Sequence, residues 1–198
     1  FEVYGNVADK DISENSKTNV VFTDLRSCYA ESKRLSENLC IAYNSQYGVK
    51  SIILRFGYIF GPTSKLCSSK ADIQFLRDAL NGDQIKLFSS GLQKRSYLYV
   101  FDAVSAMLHT LSLNSDNVQI YNVSSADGNI TLKYFADILG KISNKKVVCD
   151  ERIKLNRGGS SYQNSCLSNS KIIATGWKSF FNINSSIEKT YLIKKSLV

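Results

Sequence analysis

The 198 residues predict an α/β protein with a parallel sheet. Three observations carry this. A helix-period segment runs straight into a short apolar stretch, "SIILRF", whose unbroken hydrophobicity is that of a strand covered on both faces. Strand-like and helix-like segments then alternate, the order that crossover connections produce. Turn residues close successive segments at Gly48, at Gly61-Pro62 and at Asn81-Gly82.

The elements follow in order. The opening "FEVYG" reads as the end of a strand and the turn after it. A domain rarely begins there, so part of a longer protein is expected upstream. Residues 27–47 read as a helix: Ser27 can cap it, Leu35, Leu39, Ala42 and Tyr43 recur at helical spacing, and Gly48 ends it. "SIILRF" at 51–56 is the buried strand, and "FGP" at 60–62 marks its exit. "IQFLRDALNG" is a short helix closed by Asn81-Gly82. "IKLF", "SSG" and "KRSYLYVF" predict two strands around a turn. Asp102 can cap the helix "AVSAMLHTLSL". "VQIYNVS" is a strand, "TLKYFADILGKI" an amphipathic helix that Thr131 could cap, and "KKVVCD" a strand. Residues 152–170 are polar, contain Gly158-Gly159, and read as a loop that could cover a ligand. A last helix lies near 185–195.

Composition narrows the function classes. No apolar run reaches the ~18 residues that span a bilayer, and the first residues lack the pattern of a signal segment. Five cysteines at 28, 40, 67, 149 and 166 form no CxxC pair, and His109 is the single histidine, so a zinc site has little to work with. The scatter suits reduced thiols, most of them small buried apolar residues, in a cytoplasmic protein without a membrane partner. The net charge of +8 is uneven: residues 1–140 carry 14 basic and 14 acidic side chains, residues 141–198 carry 11 and 3. A basic tail could hold nucleic acid, a membrane surface or a diphosphate, or be a solvated face. No RNP-like, zinc-finger or basic-helix pattern supports nucleic acid.

"RSCYAESKR" places Tyr29 four residues before Lys33, on one face of the first helix. Taking a phenol from a pKa near 10 to about 7 requires roughly 4 kcal/mol of preference for the phenolate. A cation about 5 Å away, at an effective dielectric of about 20, supplies roughly 3 kcal/mol of it. The spacing therefore makes chemical sense, but alone it proves little. Tyr191 and Lys195 share it, with no supporting neighbours, and read as a surface coincidence.

Context singles out the first pair. "EVYG" at 2–5, "LRFGYIFGP" at 54–62, "QKRSYLYVFDAV" at 93–104, "IYNVSSADGNITLKYFADIL", and "KIIATGWK" with "SSIEKT" occur in order along the chain. Together with the Tyr–Lys pair they resemble the extended short-chain dehydrogenase/reductases that act on nucleotide sugars: NAD-dependent epimerases, 4,6-dehydratases and decarboxylases. The resemblance implies the C-terminal part of a Rossmann-type parallel sheet with a smaller α/β substrate-binding lobe. Residues 1–62, with 98–124 packing back on them, would be the C-terminal part of the NAD-binding domain. Residues 63–97 and 125–198 would form the sugar-nucleotide lobe.

The resemblance also implies roles. Tyr29 would take a proton from a sugar hydroxyl while NAD accepts hydride from the same carbon. Lys33 would favour the ionised phenol and hold the nicotinamide ribose, and Arg55 would join the cofactor site. Glu2 would move a proton at the neighbouring sugar carbon. Arg95 would clasp the diphosphate of a nucleotide-diphosphate sugar through paired hydrogen bonds. Arg157 and Arg152 are weaker candidates for the same anion. Tyr58 stands where most relatives place a substrate-contacting asparagine, and Phe60 replaces the tyrosine that follows. Phe1 stands where the dehydratases carry a proton-donating aspartate, which counts against 4,6-dehydration. "RSC" is closer to the decarboxylase-like branch.

None of the 11 glycines forms a GxGxxG or GxxGxxG loop. The chain is therefore expected to be a piece of a longer enzyme, inactive by itself and a homodimer through the Tyr29 helix when full length. A sugar-nucleotide-binding remnant without redox chemistry and a polyanion-binding module are the competing readings.

Overall fold

The computed structural model describes residues 1–7, 11–25, 27–149 and 164–197. The expected α/β architecture is present. Helix α1 (Ser27–Tyr47) leads into β1 (Ile52–Phe56), β2 (Tyr58–Phe60) and α2 (Ala71–Asn81); β3 (Gln84–Leu87), β4 (Lys94–Tyr99), α3 (Val100–Leu111) and β5 (Gln119–Val123) follow. Then come β6 (Asn129–Thr131), α4 (Leu132–Ser143), β7 (Lys146–Cys149), β8 (Asn164–Ser165), α5 (Ser170–Ile173) and α6 (Ile183–Ser196).

The pairings are mostly parallel, as crossover helices require. β1 lies beside β5 with Arg55 opposite Asn122, and β3 lies beside β7. β4 is the hub of a third sheet: its C-terminal half pairs in parallel with β2, its N-terminal half antiparallel with β6 and parallel with β8. The strands around "SSG" therefore do not pair with each other. Each finds a partner distant in sequence, because the apolar residues Ile85 and Leu87 of β3 and Tyr97, Leu98 and Tyr99 of β4 all need burial.

Two main apolar cores form. One joins Phe60, Phe75, Leu76, Ile85, Leu87 and Tyr97 to the buried faces of α4 and α6. The other gathers Leu98, Ala103, Ala106, Tyr121, Val123, Ile172 and Trp177, with β1 packed against it. Thr131 caps α4 as expected, its hydroxyl accepting from the Tyr134 N–H at 3.1 Å. Gly82 closes α2 and Gly48 ends α1 with φ 68°. The last helix begins two residues earlier than expected, capped by Asn182.

Several expectations are corrected. Residues 2–4 form a 3-10 turn, not a strand end. Gly5, at φ 68°, lets this turn approach Asn19 so closely that a Cβ would lie 2.1 Å from its carbonyl oxygen. Ser27 does not cap α1; its hydroxyl donates to the Val21 carbonyl. Helix α3 starts directly out of β4, with Tyr99 at the cap position. Asp102 thus sits inside the first turn and accepts instead from the Phe180 N–H at 2.7 Å. The stripe Leu35, Leu39 and Tyr43 on α1 is exposed, and the helix buries only Ser27 and Ala30. All five cysteines are free thiols, but only Cys166 is buried; Cys28, Cys67 and Cys149 are exposed. Among the described residues no helix is long and apolar enough to cross a membrane.

Candidate active site

Helix geometry puts Tyr29 and Lys33 one turn apart on α1, and the Lys33 ammonium lies 5.5 Å from the centroid of the Tyr29 ring. This contact is not diagnostic in itself. Lys195 sits 5.8 Å from the Tyr191 ring in α6. That second pair is not a surface coincidence, however: Tyr191 is 6% exposed and part of a core. Tyr29 is 57% exposed and can meet a ligand.

Local folding brings the other candidates up to this helix. The 3-10 turn carrying half-buried Glu2 packs against α1. The nitrogen of Phe1 donates to the Phe56 carbonyl at 2.9 Å, which anchors the turn at the end of β1. The Phe1 ring packs against Tyr58, centroids 4.7 Å apart and the planes tilted by 38°. Tyr58 is register partner of Tyr97 across β2 and β4. Arg95, two residues before Tyr97, points to the same face, and its guanidinium lies 5.6 Å from the Tyr58 ring. Contacts thus run from α1 to the turn, from the turn to Tyr58, and from Tyr58 to Arg95.

Arg95 is the electrostatic feature of this stretch. It is 6% exposed, and among the described residues no ion pair includes it. Its Nη1 donates to the Lys94 carbonyl at 2.8 Å. Buried cations are ordinarily paired.

Arg55, the other candidate for the cofactor site, is engaged within the chain. Its Nε and Nη2 donate to the two carboxylate oxygens of Glu37 at 2.9 and 2.6 Å, and Nη1 donates to the Tyr4 hydroxyl at 2.8 Å and the Glu14 carbonyl at 3.2 Å. Burial works against its charge, but the bonds to Glu37 and then Tyr4 outweigh it, and its pKa is raised. The Tyr4 hydroxyl donates to Asn122 Oδ1 at 2.7 Å, while the Asn122 N–H and Nδ2 reach Glu14 Oε1 and the Ile12 carbonyl. Burial raises the Tyr4 phenol's pKa, partly offset by Arg55.

Sequence reasoning missed Tyr4, Glu14, Glu37 and Asn122. Only Glu37 left a legible signal, at four residues beyond Lys33 and eight beyond Tyr29. Arg152, Arg157, Gly158 and Gly159 lie outside the described residues, as does Arg26.

The family described as NAD dependent epimerase/dehydratase matches residues 1–124. UDP-glucuronic acid decarboxylase 1 of Xenopus tropicalis is 34% identical over 113 residues, 57% of this chain and 27% of the relative. UDP-N-acetyl-alpha-D-glucosaminuronate decarboxylase of Bacillus cytotoxicus is 33% identical over 127 residues, 64% and 39% of the two chains. The chain thus spans less than half the length of these relatives. Among solved structures, UDP-glucose 4-epimerase of Thermotoga maritima with UDP-glucose superposes with a TM-score of 0.83 at 22% identity, covering 98% of this chain and 61% of that one. UDP-glucuronic acid 4-epimerase of Bacillus cereus, with UDP-glucuronic acid and NAD, gives 0.81 at 18%, covering 100% and 60%. At such identities the likeness is one of fold.

Proposed function

The chain belongs to the NAD dependent epimerase/dehydratase family, and from that premise we propose that it serves in the modification of nucleotide-diphosphate sugars, with Tyr29 as the base. The observation that carries the reading is the exposed Tyr29 ring with Lys33 beside it. Tyr29 removes a proton from a sugar hydroxyl, and Lys33 stabilises the negative charge left on the phenol. NAD, when bound, supplies the acceptor for the hydride of the same carbon. Tyr29 and Lys33, both exposed, are the described residues that would hold it. Glu2 moves a proton at the adjacent carbon. Buried Arg95, without an ion pair among the described residues, receives the diphosphate, with Tyr58 against its guanidinium.

The relatives' names favour UDP-hexuronic acids as substrates and decarboxylation or 4-epimerisation as the reaction. The division into a cofactor lobe of 1–62 with 98–124 and a sugar-nucleotide lobe of 63–97 with 125–198 rests on the resemblance, since both apolar cores cross it: Phe60 and Tyr99 join the first core, Ile172 and Trp177 the second. The exposed Leu35, Leu39 and Tyr43 support a homodimer through α1.

The test is product identification with UDP-glucuronic acid, UDP-glucose and their N-acetyl analogues in the presence of NAD. Tyr29→Phe is expected to abolish turnover and leave sugar-nucleotide binding intact. Binding lost with turnover would make Tyr29 structural. Binding with no turnover of any sugar by the unmutated protein would favour the remnant reading, which the Phe1–Tyr58 contact supports.

A further inference from the structure

Helix α1 is weakly seated. It buries only Ser27 and Ala30, and its far end is held by Asn44, which donates to the Val49 and Asp116 carbonyls. The tie to the sheet nearest the Tyr29–Lys33 pair is Glu37. On a helix, residues 29, 33 and 37 follow at intervals of four and share a face. Glu37 receives both prongs of the Arg55 fork, and the two side chains are 15% and 11% exposed. A two-pronged guanidinium–carboxylate pair fixes orientation as well as distance, so it sets both the rotation of α1 about its axis and its height over β1.

The same guanidinium holds the other arm of the site. Its Nη1 donates to the Tyr4 hydroxyl, and Tyr4, fully buried, stands two residues beyond Glu2 in the 3-10 turn. Asn122, register partner of Arg55 on β5, accepts from that hydroxyl. α1 and the turn are thus both referred to one cross-strand pair, Arg55 and Asn122.

We propose that Arg55 and Glu37 are positioning residues for the Tyr29–Lys33 pair, setting its pose relative to Glu2 through the bidentate bridge on one side and Tyr4 on the other. The proposal deepens the proposed role of Tyr29, and its main readout does not depend on that role.

The experiment is NMR of the protein carrying ring-labelled tyrosine, with the Tyr29 signal identified by its loss in Tyr29→Phe. Glu37→Gln keeps the side chain's size but loses the charge; Arg55→Lys keeps the charge but cannot serve Glu37 and Tyr4 together. Both are expected to shift the Tyr29 ring signal, whereas Glu31→Gln, which removes an exposed pair with Arg34 on the same helix, leaves it in place. Where the protein turns over UDP-glucuronic acid, Glu37→Gln lowers kcat about tenfold with KM within about twofold. A Tyr29 signal unmoved in folded Glu37→Gln or Arg55→Lys overturns the proposal. So does global unfolding of both, which would make the pair a support of the whole fold. A shifted signal without turnover leaves the positioning intact and faults the sugar-nucleotide reading.

Discussion

The Tyr4 hydroxyl donates to Oδ1 of Asn122 at 2.7 Å, across 118 residues of sequence. The Tyr4 hydroxyl oxygen in turn accepts from Arg55 Nη1. Tyr4→Phe would leave a buried amide oxygen and a guanidinium N–H without that partner. It is expected to lower stability by about 1–3 kcal/mol, read as a fall in the urea midpoint at unchanged slope. A loss within error would mean that Asn122 and Arg55 find each other once the oxygen is gone.

Arg95 gives the binding arm of the function its own test. A lysine there keeps the charge but loses the planar fork. Arg95→Lys is expected to raise the KM for a UDP-sugar about tenfold, the worth of one charge-assisted hydrogen bond of about 1.5 kcal/mol, and to change kcat little. An unchanged KM would remove Arg95 from the substrate site.

Asp102 titrates against the fold. It is buried, and burial raises its pKa above the ordinary carboxylate value, with the Phe180 N–H pulling it down in part. A raised folded-state pKa means that its contribution to stability is full below the unfolded value, near 3.9, and is lost as pH rises through the folded value. The stability of the unmutated protein minus that of Asp102→Asn is therefore expected to fall as pH climbs from 3.5 and then to level off. Urea melts of both proteins over that range measure it, and a difference that is flat or rises with pH contradicts the assignment.

Thr131 is a plain helix cap. Thr131→Ala is expected to cost about 1 kcal/mol, and Thr131→Ser to restore most of it. Thermal melts separate the two.

Legibility differed between fold and site for a physical reason. The helix over 27–47 and the cap at Thr131 depend on residues a few positions apart, and local patterns report those well. The "SSG" turn misled because turn chemistry says that a chain bends, not which strands meet after it. Asp102 misled because strand β4 passes into α3 without a loop, which moves the cap back to Tyr99. The Tyr–Lys spacing was visible, and so was its copy at 191 and 195; sequence context set the first pair apart, and burial adds that Tyr191 lies in a core.

The amino-acid order alone determined the alternation of strands and helices, the stops at Gly48 and Gly82, and the placing of Tyr29 and Lys33 on one helical face, because helix period and turn propensity act over a few residues. Tertiary structure decided that Arg55 binds Glu37 and Tyr4, that Arg95 is buried beside Tyr58 without a carboxylate among the described residues, and that Tyr191 lies in a core. Burial and charge pairing are settled between segments tens of residues apart, and no local pattern records which distant side chain a buried charge will meet.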